Sequence, residues 1–579
     1  MEHLSIVILL MALLVGLSAV APKLKLPYPV LLVLAGGLLA LIPGLPPLKL
    51  EPDLVFFIFL PPLLYEASYN TSWHEFVANR RPILLLAVGL VLLTTTVIAA
   101  LAHFFIPGFT WGMGFVLGAI VSPPDAVAAT SVTKGLGLPR RITSVLEGES
   151  LVNDASALIA YRYAVAAVVS GTFGLWDASW HFALVAGGGV AVGAAVGFAM
   201  IRLQNILTDA TQITALTLLL PFGVYLGAEH LGVSGVLAVV AMGLMMSRRS
   251  HDIYNNQTRL LKHSFWNVFG FLLNGLVFIM IGLQLRTILE GLGTGAFWPV
   301  LGYGLLVSVV AIAIRLGWVF PVSYLGEWLG RWLGREEHHS PRRNLFITSW
   351  AGMRGVVSLA TALGLPFVVN GGQPFPQRNT MLFITFVVIL VTLVVQGLSL
   401  PWLVRRLGVQ ESPAQRAAEE QELRLTLTKD SLGYLDGLIT AEPDPSLLTL
   451  REIQRRQARR LHGALAANEA TDLDAPREEE SAAALEFEKL LRARLTMTEH
   501  QRQLLVKLHQ EDKFSEEAIR QVELELDRFE IALDTQLATV QQPEEAEATE
   551  ETTAALEPDQ TASRFPGPKG RPSNADEPS

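Results

Sequence analysis

The chain has 579 residues and a mass of 63.1 kDa, of which 51% are hydrophobic and only 17% charged, with a mean hydropathy of +0.40. Soluble proteins carry about 25% charged residues, so an ordinary soluble enzyme is excluded. Residues 1–406 hold 24 Lys and Arg against 17 Asp and Glu, whereas 407–579 hold 20 against 36, which predicts a membrane part followed by an acidic soluble part. That acidity argues against nucleic acid as a partner. The absence of cysteine excludes disulfides, thiolate metal sites and thiol nucleophiles.

A bilayer core about 30 Å thick needs about 20 apolar residues per helix. Runs of that kind lie near 4–21, 27–46, 53–69, 82–104, 111–133, 140–169, 180–203, 211–229, 232–247, 263–285, 297–325, 343–369 and 380–403, thirteen in all. The stretches 70–81 and 250–262 read as surface helices or loops. Lys and Arg accumulate in short cytoplasmic loops. Alternate connections place 18 of them on one side and 3 on the other, an arrangement that puts the N-terminus outside and the C-terminus inside. The first run has Glu2 and His3 before it and Lys23 and Lys25 after it, the reverse of a secretory signal, and reads as a retained span.

Charges inside such runs are costly, roughly 3 kcal/mol each on insertion scales, and mark pathways or partners. In the third span Glu66 follows Leu60-Pro61-Pro62-Leu63-Leu64-Tyr65, and a merely interfacial position is the alternative to a functional one. The fifth is interrupted by Ser122-Pro123-Pro124-Asp125. Two prolines remove backbone donors and free carbonyls at mid-membrane depth, tolerated where the backbone lines a cavity or is buried in protein. Asp125 is then positioned to cap the second half-helix. A kink for packing alone is the bland alternative.

In the sixth span Ser150 and Asp154 share a helix face with Asn153 beside it. Hydroxyl, amide and carboxylate oxygens suit an alkali cation, and a proton can neutralise the same carboxylate, so the two would compete for one site. A hydrogen-bonded seam between helices is the alternative. Arg354, between Gly352 and Gly355 in the twelfth span, needs a carboxylate; Glu149 is the candidate, with Arg315 as the other possible partner. The small-residue row Gly189, Gly193 and Gly197 reads as helix packing, and His181, His230 and His263 as interfacial.

These segments resemble the monovalent cation:proton antiporters of the sodium/proton exchanger type, in their electroneutral bacterial branch. The matching pieces are 60–67, 122–127, 147–154, 315–320 and 350–360, in order within residues 1–406. The resemblance implies an all-α polytopic fold of inverted repeats in which the fifth and twelfth spans cross, and a homodimer in the cell membrane. It implies that Asp154 binds cation and proton in turn, that Asp125, Ser150 and Glu66 shape the site beside Asn153, and that Glu149 and Arg354 form a structural ion pair. Na+ is the expected cation, with Li+ or K+ possible; no cofactor is expected. Electrogenic relatives carry two aspartates where this chain has Asn153-Asp154, so one-for-one exchange follows. Many members have Thr where Pro124 stands.

The rival from another class is an intramembrane aspartyl protease with Asp125 and Asp154 as its dyad. Within the transporters the alternative is K+/H+ exchange. From 407 to 542 the spacing predicts a helical cytoplasmic domain, for packing alone or for regulation, with helices near 412–440, 445–468, 475–510 and 514–541 and an apolar stripe of Ala518, Val522, Leu526, Phe529 and Leu533. Residues 543–579 read as a disordered acidic tail.

Overall fold

The structure is a computed structural model. It describes residues 2–533 apart from 25, 43–56, 134–135, 171–174, 205, 208, 250–253, 255, 293–296, 333–340, 370–372, 411–412, 442–446, 457–481 and 512. The chain forms two units, Met1–Arg424 with Leu504–Asp527, and Leu425–Gln503 with Arg528–Ser579. Both are helical.

The first unit runs α1 (Glu2–Leu24), α2 (Tyr28–Ala40), α3 (Leu60–Asn70), a short surface helix (Trp73–Ala78), α4 (Arg80–Phe105), α5 (Trp111–Val121), α6 (Ala126–Thr133) and α7 (Arg140–Ser170). It continues with α8 (Leu175–Gln204), α9 (Ala210–His230), α10 (Gly235–Arg248), α11 (Asn256–Leu292), α12 (Phe297–Trp332), α13 (Arg342–Trp350), α14 (Val356–Leu363) and α15 (Arg378–Leu407). Side chains set several of the helix starts. Thr110, Asp209 and Ser234 each accept a hydrogen bond from the backbone N–H three residues on. Gly408, at φ 64°, closes α15 in the left-handed conformation.

Among the described residues six helices, α4, α8, α9, α11, α12 and α15, are long and apolar enough to cross a membrane, and α2, α5, α10 and most of α1 are shorter apolar helices. The fifth and twelfth expected spans are each split in two, so length alone misses them. The stretch 250–262 was expected at the surface, but residues 256–262 form the first turns of α11 and bury Thr258 and Lys262. Lys262 is accommodated because its Nζ donates to the Tyr254 hydroxyl at 3.0 Å and sits 3.2 Å from the centre of the Tyr69 ring.

Small residues let the helices approach closely. A Cβ on Gly193 would overlap the Ala238 carbonyl, so the glycine row of α8 does serve packing, against α10. The main core gathers α5, α11, α15 and their neighbours, while a second core is built around α3, α9 and α10.

Beyond α15 the described helices are α16 (Pro413–Ala441), 447–456, α17 (Ala482–Gln510) and 516–533, near the expected positions. Of the expected stripe, Ala518, Val522 and Leu533 are buried, but Phe529 is 44% exposed, and Glu523 and Asp527 are buried instead. In the second unit Leu435, Leu450 and Met497 form a small core. The expected tail from 543 lies outside the described residues.

Candidate functional site

The two interrupted spans cross at their breaks. Residues 122–125 link α5 to α6, and 351–355 link α13 to α14. The two links bond to each other: the Asp125 N–H donates to the Met353 carbonyl at 2.7 Å. Each break leaves one helix end rich in carbonyls and one rich in N–H groups, that is, partial negative and positive charge in a low dielectric. The side chains present answer both. Asp125 Oδ1 accepts from the N–H groups of Val127 and Ala128, at 2.8 and 3.3 Å, capping α6. Its Oδ2 lies against Gly355 at the start of α14, where a Cβ would overlap it.

The carbonyl ends are met by arginines. Arg354 Nε donates to the Val121 carbonyl at 3.2 Å and Nη1 to that of Gly352 at 2.5 Å. Arg315 Nε and Nη2 donate to the Ser349 and Thr348 carbonyls of α13 at 3.1 and 3.2 Å. The Arg354 backbone N–H is held by Thr392 Oγ1 at 3.1 Å, at a π-helical turn that interrupts α15 over Thr392–Gln396.

The expected pairing of Glu149 with Arg354 is replaced by its alternative. Arg315 Nη1 and Nη2 reach Glu149 Oε1 and Oε2 at 2.5 and 2.7 Å, a two-pronged pair in which both residues are 1% exposed. Arg354 sits in an extended link and turns its head toward the end of α5, within electrostatic reach of Glu149 but bonded elsewhere.

A cavity of about 680 Å³ lies beside the crossing. It is lined by Asp125, Ser150, Asp154 and Glu66, four of the expected site residues. Asn153 is fully buried behind it, its Nδ2 donating to the Pro124 carbonyl at 3.0 Å. That bond uses a carbonyl freed by the double-proline break. The Asp154 carboxylate makes no hydrogen bond to protein among the described residues. Glu66 packs against Gly270 of α11 and reaches the wall of the same cavity. His263 is on that wall too.

Tyr28 and Asn274 also line the cavity and were missed. Asn274, an amide in the apolar run of α11 like Asn267 and Gln284, could have been flagged as a polar residue at membrane depth. Tyr28, at the start of α2, carries no signal of that kind.

Residues 8–406 match the family model described as sodium/hydrogen exchanger, transmembrane. The chain belongs to that family. It is therefore a multi-pass membrane protein and a monovalent cation:proton antiporter, a secondary transporter and not an enzyme. An uncharacterised Na+/H+ exchanger of Mycobacterium bovis is 34% identical over 91% of this chain and 95% of its own. A sodium, potassium, lithium and rubidium/H+ antiporter of Bacillus subtilis is 36% identical over 65% of this chain and 57% of its own. The sodium proton antiporter MjNhaP1 of Methanocaldococcus jannaschii superposes with a TM-score of 0.57 at 20% identity, covering 71% of this chain and 99% of that one, and shows the fold. The aspartyl protease reading is set aside by family membership. Geometry agrees with this, since Asp125 Oδ1 is held by the N–H groups that start α6.

Proposed function

We propose that this antiporter exchanges Na+ for H+ one for one at Asp154. The observation that carries the reading is that Asp154, Asp125, Ser150 and Glu66 line one cavity beside the crossed breaks. A cation there meets hard oxygens, and a proton satisfies the same carboxylate. Each excludes the other because a neutral site is the least costly in this dielectric. Asn153 supplies no second titrating group, which favours equal charge in both directions.

In this reading the part of the protein carrying the crossing moves relative to the rest only when Asp154 is loaded, since a bare carboxylate is costly to carry through the bilayer core. Asp125 sets the backbone of the site, and the pair of Glu149 and Arg315, with Arg354, holds the crossing together. The protein works as a homodimer in the cell membrane, N-terminus outside and C-terminus cytoplasmic, and serves pH homeostasis; the resemblance and the distribution of Lys and Arg support these points. A second reading, K+ as the cation, is supported by the Bacillus subtilis relative, whose name includes potassium beside sodium.

The test is proton flux in proteoliposomes driven by Na+, Li+ or K+ with the membrane potential clamped. One-for-one Na+ exchange predicts a flux insensitive to potential and lost in Asp154→Asn. A flux that persists in that variant defeats the assignment.

A further inference from the structure

Residues from the stretch after α17 reach the same cavity. Glu517 and Arg520, in the helical stretch 516–527, line it together with Asn70 at the end of α3 and Glu147 in α7. The stretch is firmly anchored. Arg259 of α11 donates from Nε and Nη2 to Asp527 at 3.0 and 2.7 Å and lies 3.3 Å from Glu523, and Asp527 is fully buried. At the other end the Ser515 N–H donates to Glu419 at 3.0 Å, and Glu419 is also paired with Arg140. Ser515 Oγ caps the helix by accepting from the Ala518 N–H at 3.0 Å. Ala518, Ile519 and Val522 bury its apolar side.

Arg520 therefore stands at a fixed place. Its Nη2 reaches Asn70 Oδ1 at 3.4 Å, and Glu147 and Lys262 lie within its electrostatic reach. A fixed charge on the wall of a cleft bounded by low-dielectric protein changes the local concentration of mobile ions. Resting on the antiport reading, we propose that residues 515–527 form a wall of the passage to Asp154, and that Arg520 and Glu517, with opposite signs, set the cation occupancy of that passage and hence the apparent affinity for the cation.

The chain has no cysteine, so Thr130→Cys, on the cavity wall, gives a single reporter thiol. Its reaction rates with a cationic and an anionic methanethiosulfonate measure the local potential without any transport. In that background Arg520→Glu raises the cation-to-anion rate ratio at least about fivefold, Glu517→Gln lowers it, and Arg520→Lys leaves it near the parent value. In flux assays on the cysteine-free chain, Arg520→Glu lowers the apparent KM for Na+ at least about threefold with kcat little changed, and Glu517→Gln raises it. Unchanged ratios and unchanged KM in both variants overturn the proposal, as does loss of kcat alone, the pattern of a purely structural role. If the thiol ratio shifts as expected while no cation drives proton flux in the parent protein, the wall assignment stands and the antiport reading falls.

Discussion

Arg354 and Val121 meet across the crossing of the two broken spans, the Nε of one 3.2 Å from the carbonyl oxygen of the other. The guanidinium thus answers the exposed end of α5, while the Arg354 backbone is tied to α15 through Thr392. Arg354→Gln should leave the protein folded but slow exchange at least about tenfold, because the end of α5 loses its counter-charge and the link beside Asp125 loses its fixed position. Flux measured beside a thermal melt checks this: a large fall in Tm with little change in rate would contradict it.

The pair of Glu149 and Arg315 has the opposite profile. Removing one partner strands a buried charge, at a cost of about 3–5 kcal/mol. Arg315→Gln should therefore lower expression and Tm more than any other single change at the crossing. The double change Arg315→Gln with Glu149→Gln should recover much of the loss, since two amides can bond each other. Melting curves of the three variants in detergent give the coupling, and strict additivity would show that the pair is not stabilised as described.

At Gly355 any side chain collides with the Asp125 carboxylate. Gly355→Ala should abolish exchange by displacing that carboxylate from the start of α6. Gly302→Ala in α12, where nothing lies within 4 Å, is the control. It should be neutral or slightly stabilising, by about 0.5–1 kcal/mol. Equal activity in the two variants would remove Gly355 from the argument.

Asn153→Asp places a carboxylate oxygen where an N–H group now donates to Pro124. The lost bond and the facing oxygens should reduce exchange at least about tenfold. If the variant instead gains a flux that responds to membrane potential at full rate, the position is a titrating site in its own right and not a backbone brace.

Lys262→Met should change stability by less than about 1.5 kcal/mol, since the lost hydrogen bond to Tyr254 is offset by removing a buried ammonium. Lys262→Glu, facing the Tyr69 and Tyr254 rings, should be far more damaging. A thermal melt of both variants separates the two cases.

Much of the site was legible in the sequence because charge at membrane depth is rare and costly. Asp125, Asp154 and Glu66 stood out for that reason, and the double proline marked where the backbone had to break. The partner of Glu149 was harder to read. Both arginines lie in apolar runs, and the choice between them depends on how far the 351–355 link turns the Arg354 head toward α5, a matter of tertiary geometry with no local signature. Lys262 was misread for a related reason. A lysine at the edge of a polar stretch looks solvated unless the rings of Tyr254, eight residues earlier, and of Tyr69, distant in sequence, are known to fold over it. The stripe from Ala518 to Leu533 was read from apolar spacing alone, which cannot anticipate that Glu523 and Asp527 turn inward to meet Arg259.

The wide turn at Thr392–Gln396 holds more backbone than a regular helix needs at that point. Deleting a single residue there would let α15 run straight with little rotation of its distal half, whereas a deletion in the regular helix just before it would swing that half by about 100° about the axis. Ser399 could then no longer receive the Trp350 indole N–H, now 2.8 Å away, and Arg405 and Arg406 would be re-aimed together with it. Outside the wide turn, this part of the chain should accept exchanges of one apolar side chain for another far more readily than a change in its length.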